Sequence, residues 1–383
     1  MNTDNCFKIT IFGDICPVAD TMRGFVSGNP AEIMSADLLA LLKDSDLTLG
    51  NMECVLTDNP HPAKKAGPVL HAPTSCLKTL SEAGFKAFSL ANNHIRDCGS
   101  AGVDDTIRAC KAAGFATFGA GRNNNEAKKP YIFEFKGKKI AFISFAEYEF
   151  NAVSDTTSGA ALLDVYEDFD RIRSLRSSVD YLAVLYHGGI EYHPYPSPLL
   201  QKRCRAMVRS GADLVLCQHS HCIGSYEEYN TATILYGQGN NLFGHRANNH
   251  SWNTGLIVEL QYAEDRFSVN FLPCVTNSDS TLVMLSGKDA DNVMSDLRCR
   301  SEKITDAEFI NREWSAFCSN AESLYMPLAY GWNRYLIFIN RKLKGRLLKW
   351  IYRQRKRNIT HNLIRCESHH EVMRTILSKY DFQ

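Results

Sequence analysis

Short apolar runs punctuated by glycine, asparagine and acidic residues alternate along the chain with segments whose apolar positions recur at helical spacing. Residues 7–12 (FKITIF) read as a buried strand that stops at Gly13-Asp14, and apolar positions 34, 38, 41 and 42 make residues 31–43 an amphipathic helix. Strands at 47–49 and 87–90 end in Gly50-Asn51-Met52-Glu53 and Ala91-Asn92-Asn93-His94, with a helix over 75–83 between them. This alternation predicts βαβ units with parallel strands, right-handed crossovers and polar groups gathered at the strands' carboxyl ends.

The middle of the chain has a different rhythm. Residues 131–135 and 140–145 flank Lys136-Gly137-Lys138-Lys139, a hairpin signal. A helix over 165–177 leads into a strand at 181–186 that ends in His187-Gly188-Gly189. A helix over 199–209 leads into a strand at 213–217 that ends in Gln218-His219-Ser220-His221, and strand-like runs follow at 233–236, 256–261 and 267–272. Parallel units mixed with hairpins predict two packed sheets with helices outside. Past about residue 285 the strand pattern ends, and helices broken by Pro327 and Gly331 close with residues 368–379. The expected division is residues 1–285 and a helical extension over 286–383.

Composition narrows the class. No apolar run approaches the roughly 20 residues a bilayer span needs, and the start, MNTDNCFKITIFGD, lacks a basic segment followed by an apolar one. The 13 cysteines form no CxxC pair, which suits reduced thiols and a cytoplasmic location. The 43 Lys+Arg and 42 Asp+Glu give a net charge of +1, which argues against a strongly basic nucleic-acid binder. That balance is an average over two unlike parts. Residues 323–366 hold 11 Lys+Arg and no Asp or Glu, so the remainder is 32 basic against 42 acidic, or −10. Leu336, Phe338, Leu343, Leu347, Trp350 and Ile351 interleave with those cations. Such a segment either docks on an anionic membrane surface, making the protein peripheral to the inner face of the membrane, or packs on the acidic body with its cations solvated.

Five strand ends carry the side chains that bind metals or move protons: Asp14, Glu53, Asn93-His94, His187, and His219 with His221. Only 12 histidines occur in the chain and four of them fall here, in the crevice where open α/β folds place ligands. If the segment after residue 217 is extended, the i, i+2 spacing of His219 and His221 aims both imidazoles into one cavity. Two carboxylates, three metal-facing imidazoles and an amide oxygen, without a thiolate, suit Mn²⁺, Fe or Zn²⁺. Two such ions would acidify water and favour an anionic substrate.

The blocks GDIC (13–16), GNMECVLT (50–57), LANNHIRDCG (90–99), HGGIEYHPYPSPLLQ (187–201), GADLVLCQHSHCI (211–223) and YGQGNNLF (236–243) resemble, in order, those of CapA-type capsule or poly-γ-glutamate biosynthesis proteins, which are similar to calcineurin-like metallophosphoesterases. The resemblance covers about residues 7–275. It implies an α/β fold, a four-layer α-β-β-α sandwich with two divalent metal ions between the sheets. It places Asp14 and His221 on the first metal, Glu53 as the bridge, and Asn93, His187 and His219 on the second. His94 would protonate the leaving group. Asp97 either orients His94 or caps the following helix, and Glu191 and Tyr192 either line the substrate pocket or support His187. Cys16 stands where phosphoesterases place a metal-binding histidine, which leaves the first metal with fewer ligands. Asn240 either is a turn residue, the favoured reading, or reaches the substrate.

The resemblance implies a metal-dependent hydrolase acting on an anionic polymer or phosphoester in capsule metabolism. The alternative is a non-catalytic assembly factor that partners a capsule synthetase complex. Nucleic acid is not an expected ligand.

Overall fold

The computed structural model describes residues 6–18 and 20–377; the last two residues of the closing helix expected at 368–379 lie outside them. By density of contacts the chain forms two units, residues 1–310 and 311–383.

The first unit is built on two sheets. The larger has eight strands, ordered Leu282–Met284, Arg266–Thr276, Thr254–Ala263, Phe7–Ile15, Leu47–Met52, Ala87–Ser89 and Ala116–Phe118, with Asn240–Leu242 paired beside the end of Phe7–Ile15. The smaller has six, ordered Tyr226–Tyr229, Ala232–Leu235, Leu214–Gln218, Tyr181–His187, Lys138–Ala146 and Tyr131–Phe135. Neighbours are parallel from Phe7–Ile15 to Ala116–Phe118 and from Ala232–Leu235 to Lys138–Ala146. The predicted hairpin closes through Lys136 and Gly137, both with positive φ, the geometry that a two-residue turn between twisted strands requires.

Strand alternation sorts the apolar side chains into layers. Ile9, Ile11 and Leu49 face Phe142, Ala183, Leu185 and Leu216 across the space between the sheets. Phe12, Ile15 and Met52 turn the other way and pack with Phe25, Leu38 and Leu80 of the helices outside the larger sheet. Ile143, Val184 and Val215 likewise meet Ile172, Cys204 and Met207 outside the smaller one. Three cores separating helix, sheet, sheet and helix make this the expected α-β-β-α sandwich.

The unit extends past residue 285. Leu297, on helix Gly287–Lys303, is buried in the core between the sheets. Ser301 Oγ accepts the backbone N–H of Tyr226 at 2.9 Å, and Gln201 Nε2 donates to Ile304 O at 2.9 Å. The expected boundary at 285 therefore moves to 310, because a helix without strands around it still supplies a face to the sheets. The basic segment over residues 323–366 is divided among several helices. Lys344 and Gly345 both have positive φ, and they separate Arg334–Lys342 from Arg346–Ile351, with Gln354–Arg365 following. Within this second unit the Tyr330 and Tyr352 rings stack at 3.6 Å, and buried Asn340 Oδ1 accepts the Leu348 N–H. Among the described residues no helix is long and apolar enough to cross a membrane.

Candidate metal centre

The site forms where the parallel strands of both sheets end. A register shift in Phe7–Ile15 between Ile11 and Asp14 turns Asp14 toward it, with Asn51 opposite on one side and Asn240 on the other. Gly13 permits this approach, since a Cβ there would lie 2.6 Å from the Gly239 carbonyl oxygen. Asp14 is then held from both sides: Asn51 Nδ2 donates to Oδ1 at 2.8 Å, and the His219 N–H donates to Oδ2 at 3.1 Å.

Two groups of buried donors result, Asp14 with Glu53 and His221, and Glu53 with His187 and His219. Glu53 belongs to both. Its Oε1 lies 3.5 Å from His187 Nε2 and 3.9 Å from His221 Nε2, yet neither carboxylate oxygen has a hydrogen-bond partner. His219 Nδ1 is also buried and unpartnered. Orphaned polar atoms of this kind are rare in a folded interior and fit a cation between them. Asn93 Oδ1 joins the second group, 3.0 Å from His187 Nε2.

His219 and His221 do not reach the site as expected. The strand stops at Gln218, and both histidines adopt left-handed backbone, φ +86 and +51. The i, i+2 rule of an extended segment therefore does not apply; a strained turn distributes the two rings to different groups. Two bonds hold this turn, one to Asp14 and one from the Tyr192 N–H to Ser220 O at 2.7 Å.

Electrostatics favour cation binding. Burial pushes Asp14 up to about 7 and Glu53 up to about 8, whereas burial depresses His187, His219 and His221, the last to about 3. At neutral pH the imidazoles are uncharged with lone pairs available, and a divalent cation displaces protons from the acids. Cys16 stays outside both groups. Burial raises its thiol well above the ordinary value, with Cys54 beside it, so it offers no thiolate.

His94 sits beside the metal-ligand groups. Its Nδ1 meets Asp97 Oδ2 at 2.7 Å, while helix Gly99–Ala112 has no side-chain cap. Asp97 thus contacts His94, and no cap bond from it to that helix is formed. Asp97 is also a hub for the loop over residues 57–70: Oδ2 accepts the Leu70 N–H, its carbonyl accepts the Ala63 N–H, and Lys65 Nζ lies 2.5 Å from Oδ1.

A cavity of about 490 Å³ opens over these groups, lined by Asn93, His94, His221, Glu191, Tyr192 and Lys65 among others. Both Glu191 and Tyr192 thus face the cavity, and Tyr192 also braces the histidine turn. Four contributors lay outside the sequence reading. Asn51 spans Asp14 and His187 Nδ1 (3.1 Å), and Lys65 pairs with Asp97. Arg246 lies over the Trp252 ring, 3.1 Å from its centroid, and donates to Tyr192 Oη. Glu149 approaches both Asn93 and His219. Asn240 is not a turn residue: it is buried, and its Oδ1 meets His221 Nδ1 at 2.8 Å, which directs Nε2 at the metal-ligand group. The GNN pattern was the one available signal for it, an amide at the start of a strand.

Residues 8–245 match the family described as Bacterial capsule synthesis protein PGA_cap. The chain belongs to this family. It is 30% identical over 244 residues to the capsule biosynthesis protein CapA of Bacillus anthracis, covering 61% of this chain and 59% of that one. With the PGA biosynthesis protein CapA of Bacillus subtilis (strain 168) identity is 28%, over 59% of this chain and 62% of the relative. The matches span about three fifths of the length of these curated relatives. Among solved structures, a 5'-nucleotidase precursor from Thermus thermophilus aligns with 84% of this chain and 60% of its own, at 13% identity and a TM-score of 0.42.

Proposed function

We propose that this PGA_cap chain is a divalent-metal-dependent hydrolase of capsule or poly-γ-glutamate metabolism that cleaves a phosphoester or a γ-glutamyl amide in an anionic polymer. One observation supports this above the others: two buried carboxylate–imidazole groups share Glu53, whose oxygens have no protein partner. Asp14, Glu53 and His221 would hold one ion, and Glu53, Asn93, His187 and His219 the other; Mn, Zn and Fe suit the donors equally. Bound there, the ions supply Lewis acidity and a water acidified to near neutral pH.

The chain's own residues do the rest. His94, with Nδ1 engaged by Asp97, has Nε2 left to hold and deliver a proton to the leaving group. Arg246, stacked on Trp252 with no carboxylate paired to it among the described residues, offers a planar fork for an anionic substituent at the cavity mouth. Arg246→Gln is expected to raise KM for an anionic substrate about 10- to 100-fold by removing a charge-assisted bond, measured against the same substrate with that charge masked.

The test of the reading is chelation followed by reloading with Mn²⁺, Zn²⁺ or Fe²⁺, with hydrolysis followed on a nitrophenyl phosphodiester, a phosphomonoester and a γ-glutamyl anilide. Metal-dependent cleavage of one of these supports it. Failure of all three metals to bind sinks it.

A second reading has its own support. The relatives' names describe biosynthesis, and the second unit exposes Phe338 and Trp350 among its cations. The chain would then serve a capsule synthetase complex as an assembly factor, at an anionic membrane surface that receives residues 323–366. Co-purification with the synthetase that survives loss of every metal ligand is the result expected of that role.

A further inference from the structure

Glu149 lies on the loop after strand Lys138–Ala146, where neither the family blocks nor the strand-end pattern assigns anything. Its carboxylate reaches two of the ligands proposed for the second metal position. Oε2 accepts from Asn93 Nδ2 at 3.3 Å, and Oε1 lies 3.6 Å from His219 Nε2. On each ligand it meets the atom that a cation would not use. Asn93 points Oδ1 at the metal-ligand group, next to His187 Nε2, so its amide nitrogen must face elsewhere. His219 has its unpartnered Nδ1 buried, so its Nε2 carries the hydrogen if Nδ1 is to keep a lone pair.

The loop is built to hold Glu149 in this place. Asn151, fully buried, accepts the Glu149 N–H through Oδ1 at 3.0 Å and donates from Nδ2 to Asn92 O and Glu147 O, both at 3.0 Å. One asparagine therefore ties the Glu149 backbone to the turn that carries Asn93 and His94. The Glu149 side chain is 40% exposed at the cavity, so it contributes little to the packed core.

We propose that Glu149 is a positioning residue for the second metal position: one carboxylate that sets both the amide orientation of Asn93 and the tautomer of His219. An outer carboxylate on a metal-binding imidazole fixes the ring, its tautomer and its basicity, and losing such a partner lowers metal affinity by about 10- to 100-fold. Glu149 differs from an ordinary outer partner in serving two ligands of unlike chemistry. Removing it should therefore affect one of the two metal positions and leave the other. This rests on the two-metal reading above, and the experiment separates the two.

Two measurements on the full chain test it. The first is calorimetric titration of the chelated protein with Mn²⁺ for wild type, Glu149→Ala and Glu149→Gln. The alanine variant should lose about 10- to 100-fold in affinity at one site, with the other within twofold and the melting temperature close to wild type. Glutamine keeps one acceptor but turns its NH₂ toward the other donor, so it should fall between the two. The second is the ¹⁵N signature of His219 in metal-free protein, which does not depend on metal binding. Wild type should show the Nε2–H tautomer and Glu149→Ala a mixture. Nδ1–H in the wild type, or equal affinity losses at both sites, overturns the proposal. If no Mn²⁺ binds while the tautomer shifts as expected, the metal reading fails and the role of Glu149 in ordering these side chains stands.

Discussion

Glu53→Gln is expected to abolish divalent-cation binding at both positions and, at pH 7, to raise the melting temperature of the metal-free protein. Both effects follow from a carboxylate that two donor groups share and whose oxygens accept no hydrogen bond from the chain. Burial raises its pKa from 4.5 to about 8, so the folded metal-free protein at pH 7 holds a proton that the unfolded chain releases. Holding that proton costs on the order of 3 kcal/mol at pH 7, at 1.36 kcal/mol per unit above 4.5. The sign follows directly. A carboxyl group whose folded pKa is raised carries no penalty below its unfolded value, and the penalty grows as pH climbs toward the folded one. Glutamine does not titrate, so the variant's advantage should be small at pH 5 and large at pH 7.5. Thermal denaturation in chelator at those two pH values, with Mn²⁺ calorimetry on the same samples, checks both halves. A variant that is less stable at pH 7.5, or that still takes up two equivalents, refutes the account. This is the trade that functional sites make, in which a group costly to the empty fold is kept for what it binds.

The second large effect separates two neighbours. His94→Ala should lower kcat by about 10²- to 10⁴-fold, the range for losing a positioned proton donor, with Mn²⁺ affinity nearly unchanged. Asp97→Asn should do something different. Asp97 holds the Lys65 ammonium, whose side chain is only 2% exposed, so removing the charge leaves a buried cation unpaired. A loss of roughly 3–5 kcal/mol in stability is expected from that kind of change. Adding Lys65→Met to Asp97→Asn should restore much of the stability without restoring activity, because the imidazole still lacks its carboxylate. If the double variant is no more stable than the single one, the ion pair does not carry the effect.

Much of the frame was legible because it follows from local rules. Apolar runs that end in Gly-Asp, Gly-Asn or His-Gly marked the parallel strands, and the ends of those strands carry Asp14, Glu53, His187 and the Asn93-His94 pair. The partners of these residues were not legible, for physical reasons. Asn51 stands one residue before Met52 on a strand and looks like any turn amide until Phe7–Ile15 bulges to set Asp14 opposite it. Lys65 sits in a loop with no periodicity, and only the closed fold shows that Asp97 draws it inward. Glu149 and Arg246 belong to loops whose composition carries no motif. The left-handed backbone at His219 and His221 was hidden because nothing in the Gln-His-Ser-His string requires positive φ; tertiary bonds from Tyr192 and to Asp14 impose it. The boundary at 310 was missed because helix Gly287–Lys303 reads as an ordinary amphipathic helix, and its place against the core between the sheets depends on shape rather than pattern.

The hold of Asp97 on residues 57–70 has a consequence for the order in which the site becomes competent. Every proposed metal ligand stands on or beside a strand end of the rigid frame, so the donors assemble with the sheets. The proposed proton donor depends instead on a loop: Lys65 and Leu70 converge on the Asp97 carboxylate that meets His94, and Ala63 bonds the Asp97 carbonyl. On the proposed function, a molecule with those Asp97 contacts broken would hold ions beside an acid that nothing orients. On the proposed function, charging with metal and readiness to turn over would be separate requirements, met by different parts of the chain.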